Sequence, residues 1–175
     1  RLCISYQTIE NRGPIPRELR SKFGARVFGC DDCLDACPVG AGRFESHTDF
    51  LPASPEDATP GLAELLPLDD AAFTERFRGR AIMRAKRDGL LRNACVALGN
   101  VATPGDLDAL TGALTDRSPT VRGHAAWAVA ALANRHGLTT IARTPLENAL
   151  VLEHDSAARE EFVLALAELR RDTDG

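Results

Sequence analysis

The sequence predicts a mostly α-helical chain, with a short cysteine-bearing segment first and a domain of stacked helical repeats after it. Three observations predict this. Four of the five cysteines lie between Cys3 and Cys37. Apolar residues make up 44% of the 175 residues but aromatics only 5%, so the core is built from Ala, Leu and Val, as in close-packed helices. An Ala- and Leu-rich pattern also recurs three times from Arg87 onward.

The cysteines come first. Cys30, Cys33 and Cys37 stand in Gly29-Cys30-Asp31-Asp32-Cys33-Leu34-Asp35-Ala36-Cys37-Pro38. These are the final three cysteines of the bacterial C-x2-C-x2-C-x3-C-P run, whose last Cys ligates the other cluster in two-cluster proteins. Val27 occupies the place of the first. The spacing predicts a ferredoxin-like iron–sulfur segment over residues 1–45. Thiolate is the soft donor such clusters need, and each ligating thiol must lose its proton. Pro38 turns the chain away, because it lacks an N–H and fixes φ. Cys3 is the candidate for the missing ligand. If it joins Cys30 and Cys33, one cluster has three ligands, and Cys37 serves another by the crossed rule. Neither cluster is then complete. The chain also opens on Arg1, with its one Met at Met83. The expectation is the C-terminal piece of a longer protein. An odd cysteine count and no apolar run of about 7–15 residues near the start favour metal in a reducing compartment over disulfides.

Along the chain, Cys3, Ile4, Tyr6 and Ile9 suit a short helix that Gly13-Pro14-Ile15-Pro16 breaks. Pro16 to Phe23 reads as a second helix ended by Gly24. Pro- and Gly-rich residues 46–60 read as a linker, with His47 a solvated loop side chain. Residues 61–175 form the repeat domain. Leu62, Leu65 and Leu66 give a short apolar face. Asp69 or Asp70 is the candidate cap of a helix carrying Phe73 and Phe77. Three segments then place an acid a few residues before an Arg on an apolar helix: Asp88 and Arg92, Asp116 and Arg122, Asp155 and Arg159. The arginines are 30 and 37 positions apart, which suits HEAT-like helical hairpins. Leu107, Leu110 and Leu114 mark one partner helix, and Leu146, Ala149, Leu150 and Leu152 another. Such helices bury their apolar stripes only by stacking. Cys95 and Trp127 read as core residues, although a Trp on a repeat surface could also stack on a base. His124, His136 and His154 have no ligand spacing.

The net charge of −4 argues against general nucleic-acid binding. No stretch approaches the roughly 18 apolar residues of a membrane helix. One basic stretch escapes the acidic average. Residues 76–92 hold Arg76, Arg78, Arg80, Arg84, Lys86, Arg87 and Arg92 against Asp88. On a continuous helix Arg76, Arg80, Arg84 and Arg87 share one face, although Gly79 weakens that continuity. A plain solvated face is one reading. A phosphate-binding strip is the sharper one.

Residues 1–10, 13–16, 28–38 and 91–100 together resemble the C-terminal part of the epoxyqueuosine reductase family. The segments are Arg-x-Cys-Ile-Ser-Tyr-x-Thr-Ile-Glu, Gly-Pro-Ile-Pro, Phe-Gly-Cys-Asp-Asp-Cys-x-x-x-Cys-Pro and Leu-Arg-Asn-Ala-x-x-Ala-Leu-Gly-Asn. The resemblance implies a cytoplasmic, monomeric oxidoreductase that converts epoxyqueuosine to queuosine in tRNA with cobalamin and two [4Fe–4S] clusters. It implies that Cys3, Cys30 and Cys33 ligate one cluster and Cys37 the other, each completed by upstream residues. It sets Cys30 and Asp31 against the corrinoid, which is bound mainly by an upstream domain. It assigns no catalytic residue to this chain. It gives the basic strip a purpose, with Arg80, Arg84, Lys86, Arg87, Arg92 and Asn93 as candidate tRNA contacts. The electron donor is not implied. The family continues after Cys-Pro with Trp-Asn; Val39-Gly40 stands here, so contacts of that pair are not carried over. Two other readings compete: an electron-transfer module on a repeat scaffold, and an interaction module with one zinc on all four thiolates.

Overall fold

The computed structural model describes residues 2–39, 54 and 59–171. Among them every regular element is helical. Most of the expected linker, including His47, lies outside the described residues.

The first helix, α1 (Ile4–Ile9), is short, and residues 11–16 run on without regular structure. The expected second helix is split into α2 (Arg17–Arg20) and a 3-10 turn over Ser21–Phe23. It buries Leu19 and Phe23. A single turn, α3 (Asp32–Asp35), carries Cys33. Beyond the linker come α4 (Leu62–Leu65) and α5 (Asp70–Phe77). Asp69 caps α5 by accepting from the Ala72 N–H at 2.7 Å, satisfying one of the orphan donors of the first turn. Phe73 and Phe77 meet on one side of α5, with ring centroids 5.4 Å apart.

The repeats follow. α6 (Lys86–Val101), α8 (Pro119–His136) and α10 (Ser156–Arg171) are the three patterned helices. α7 (Leu107–Gly112) and α9 (Thr139–Leu152) are their partners. α8 packs against both α6 and α10. Between α6 and α8 the approach is close: a Cβ on Gly99 would lie 2.4 Å from a ring carbon of Trp127. The turns are tied by carboxylate–guanidinium pairs. Arg87 holds Asp116, and Arg122 holds Glu153 through two bonds of 2.6 Å. Glu153 is the structural counterpart of Asp116. Each accepts the N–H two residues on, at 2.8 Å, and each offers its carbonyl to the Arg six residues on. The third repeat thus begins two residues before the expected Asp155. Leu152, expected inside, is 71% exposed at the end of α9.

α6 is buried on nearly every side, with Arg92 and Asn93 as inaccessible as Leu90 and Cys95. Its neighbours explain this. α8 covers one side, α4 another, and α1 with the turn at residues 21–23 a third. A helix so enclosed is apolar all round except where a polar side chain has partners. Ile15, Leu19 and Phe23 belong to the same core as Leu91, Val96 and Leu110. The cysteine segment therefore lies directly on the first repeat.

A candidate metal centre fastened to the first repeat

The four clustered cysteines are free thiols that all reach the surface: Cys3 and Cys33 are exposed, Cys30 and Cys37 half-buried. Cys95, by contrast, is sealed in α6, and burial pushes its thiol far above the ordinary range. A thiol kept protonated is a packing group, not a ligand. Cys95 is thus a core residue, as the sequence indicated.

Cys3 immediately precedes α1, and its carbonyl receives the Gln7 N–H at 3.0 Å. Cys30 follows Gly29, whose φ of +79° lies where a side chain is disfavoured. Asp31 leads into α3 and its carbonyl accepts from the Asp35 N–H. Arg26 pairs with Asp32 at 2.6 Å across the loop. Three apolar side chains flank the thiols and face outward: Leu2, Leu34 and Val39, at 80%, 62% and 93% exposure. Soft donors and a short loop fit an iron–sulfur cluster, and four thiolates are also a donor set that zinc accepts.

The loop is held by α6. The Asn93 amide donates to the carbonyls of Thr8 and Val27, both at 2.8 Å. Arg92 donates to the carbonyls of Gln7, Asn11 and Gly13 at 2.6–2.9 Å. Asn100 donates to those of Arg20 and Gly24. Sequence reasoning placed Arg92 and Asn93 among the tRNA contacts. The structure corrects this, because both are buried and their partners are the protein's own backbone and, for Arg92, the Asn93 amide oxygen. Their signal was available: each sits in an otherwise unbroken apolar run, Leu90 to Leu98.

Arg87 is corrected for the same reason. It is buried between Asp116 and Asp88, whose carboxylates raise its pKa. The expected strip on one helix is also broken. α5 ends at Phe77, Gly79 takes a φ of +77°, and residues 81–85 form a 3-10 turn before α6. Arg78, Arg80, Arg84 and Lys86 remain exposed. Arg84 pairs with Glu10 across the gap to α1. Lys86 is the one non-glycine residue with positive φ among the described residues, at +62°. It stands at a cleft of about 290 Å³ with Arg12 and Arg117, where Asp70 and Asp88 supply opposing charge. Sequence reasoning did not single out Arg12 or Arg117, which come from other parts of the chain.

Residues 1–40 match the 4Fe-4S double cluster binding domain, and residues 80–167 match HEAT repeats. The epoxyqueuosine reductase of Alicycliphilus denitrificans is 42% identical over 139 residues, which is 74% of this chain and 38% of that protein. The Escherichia coli enzyme is 43% identical over 134 residues, 74% of this chain and 34% of that one. A crystal structure of an epoxyqueuosine reductase with an epoxyqueuosine-modified tRNA-Tyr stem loop superposes with a TM-score of 0.83 at 33% identity, covering 96% of this chain and 44% of that one. The chain belongs to the epoxyqueuosine reductase family. It spans about two fifths of the length of the relatives it matches. Among the described residues, no helix is long and apolar enough to cross a membrane.

Proposed function

We propose that this chain is the part of an epoxyqueuosine-reducing enzyme that helps hold two [4Fe–4S] clusters and dock the tRNA. Cys3, Cys30 and Cys33 serve one cluster and Cys37 the other. Residues outside this chain complete both, and they also bind cobalamin. When bound, the clusters would supply electrons, and the cobalamin a nucleophile for the epoxide. This chain's residues hold and orient; none is assigned a proton transfer or a bond-breaking role. Cys30 and Asp31 lie at the loop that would face the corrinoid. The observation that carries the reading is the contrast among the five thiols. Four reach the surface on one loop-rich segment matching a double-cluster domain, and the fifth is sealed away.

Docking of tRNA falls to the exposed cations Arg80, Arg84 and Lys86, joined by Arg12 and Arg117. Support comes from the relative solved with a modified stem loop and from exposed positive charge on an acidic chain. Such cations act by releasing counterions, so binding weakens with salt.

Two measurements test this. Anaerobic reconstitution with iron, sulfide and a small thiol for the open corners should give visible charge-transfer absorbance and a paramagnetic signal on reduction. Cys30→Ser with Cys33→Ser should abolish both. Binding of one metal ion without sulfide would refute the cluster assignment. For tRNA, Arg80→Glu with Arg84→Glu should weaken stem-loop binding and lower its salt slope by about two. Unchanged binding would remove these residues from the interface. Arg87→Glu is unsuitable, because it would set a carboxylate against buried Asp116.

A further inference from the structure

We propose that the Arg92–Asn93 pair of α6 is a positioning device that sets the spacing between the Cys3 arm and the Cys30 loop. The inference rests on the cluster reading above and deepens it.

The two cysteine-bearing stretches are far apart in sequence and both are short of regular structure. α1 has six residues, too few to stand as a helix by its own hydrogen bonds. Its placement must come from elsewhere. One side-chain amide joins the two stretches. The Asn93 NH2 group spends one hydrogen on Thr8 O, within the helix that Cys3 begins, and the other on Val27 O, three residues before Cys30. Both bonds are 2.8 Å, and Asn93 has no exposed surface. An amide nitrogen offers its two hydrogens in one plane at fixed directions. Using both therefore fixes the two carbonyls relative to each other.

Arg92 decides which way the amide faces. Its Nε and Nη2 donate to Asn93 Oδ1 at 3.1 and 2.8 Å. Guanidinium can only donate, so the oxygen must face it and the NH2 must face the two carbonyls. The remaining Arg92 donors grip α1 and the turn after it through Gln7, Asn11 and Gly13. A second link runs beside the first. The Gly29 N–H donates to Thr8 Oγ1 at 3.0 Å, and that hydroxyl donates to Ile4 O at 2.9 Å. A cluster accepts thiolates only at its own spacing, so a support that fixes two thiol-bearing backbones acts on the metal site without touching it. Asn100 is the internal contrast. It sits on the same helix but holds Arg20 and Gly24, away from this link.

The test measures spacing without metal. Nitroxides on Cys3 and Cys30, in the full chain with Cys33→Ser and Cys37→Ser, report a distance distribution by pulsed electron resonance. Cys95 is buried and stays unlabelled. Asn93→Ala should broaden the distribution about twofold, since it frees both stretches locally. Asn100→Ala should leave it unchanged. If Asn93→Ala loses its cooperative melt, the similar-sized Asn93→Leu carries the test: it keeps the volume, removes both donors and should broaden the distribution in the same sense. An unchanged distribution in a folded Asn93→Ala or Asn93→Leu chain overturns the proposal. So does equal broadening in Asn100→Ala. Iron uptake of the unmodified chain is scored separately. Its absence would strike the cluster reading, whereas the distances judge only the link.

Discussion

The cysteine arm and the repeats keep their backbone polar groups satisfied in opposite ways. In α6, α8 and α10 the helices satisfy themselves, and carboxylate–guanidinium pairs such as Arg122–Glu153 stitch their turns. The arm has few such internal bonds. Carbonyls of Gln7, Thr8, Asn11, Gly13, Arg20, Gly24 and Val27 are met by three side chains of α6. A buried backbone carbonyl cannot be left bare cheaply. The order of the arm is therefore lent by the repeat beneath it. The repeats should fold whether or not the arm is in place, and the arm should not persist without α6.

Arg92→Ala should break that asymmetry most severely. It strands three carbonyls and Asn93 Oδ1, a loss on the order of 4 kcal/mol. The expected outcome is release of the arm, read as fast amide exchange over residues 4–29, with far-ultraviolet helicity largely kept. Burial already lowers the Arg92 pKa to about 10, so it remains charged at neutral pH. Concerted loss of all helicity would show instead that the arm supports the repeats. Gly99→Ala should act on the other side of the comparison. Its methyl would drive into Trp127, and overpacking of this kind costs about 1–3 kcal/mol. It should lower the melting temperature of the repeats. Restoring stability with Trp127→Phe in the same chain would tie the effect to that contact.

This contrast also governs what could be read from the chain. The repeats were legible because their apolar period and turn acids are local, and α6, α8 and α10 appear where Leu90–Leu98, Val121–Val129 and Phe162–Leu166 pointed. The cysteine spacing was legible for the same reason. The link between arm and repeat was not, because Arg92 meets Gln7 from 85 positions away. A side chain serving irregular backbone leaves no period. Arg87, Arg92 and Asn93 therefore looked like surface chemistry, whereas Arg12 and Arg117 passed unnoticed. The basic strip failed at Gly79, where a helical wheel assumes a helix that the chain does not make.

A pH titration should separate the two regions more gently. His124 on α8 accepts the Ile15 N–H at Nε2, 3.0 Å away, and lies 2.7 Å from Thr120 O through Nδ1. That pattern requires neutral imidazole. Burial first, then Arg20, and more weakly Arg92, hold its pKa well below 6.5 against the hydrogen bonds to Thr120 and Ile15; Asp155, Glu160 and Glu161 line the adjoining cavity. The unfolded chain takes up this proton from about pH 6.5 downward and the folded chain does not. Stability is therefore complete above pH 6.5 and falls below it, by at most about 1.4 kcal/mol per pH unit. Glu153, kept below 4.5 by Arg122, adds its loss only at lower pH. Urea midpoints between pH 7 and 5 should fall in the parent chain and flatten in His124→Gln. A parallel fall in both would place the sensitive group elsewhere.

The smallest effect concerns Lys86, where the arm's side of the cleft meets the first residue of α6. Its φ of +62° with ψ of 164° is a region favoured by glycine, and a side chain there costs about 1–3 kcal/mol. Glycine would relieve that strain but lose about 0.5–1 kcal/mol more conformational entropy on folding. Lys86→Gly should therefore gain about 1 kcal/mol in urea unfolding, near the middle of that difference. Lys86→Ala should gain nothing, since alanine keeps the same Cβ. If the lysine is there for its charge, both variants should lose stem-loop affinity to the same degree. A stabilised glycine variant that binds tRNA as well as the parent would leave the strain at this junction without a role in docking.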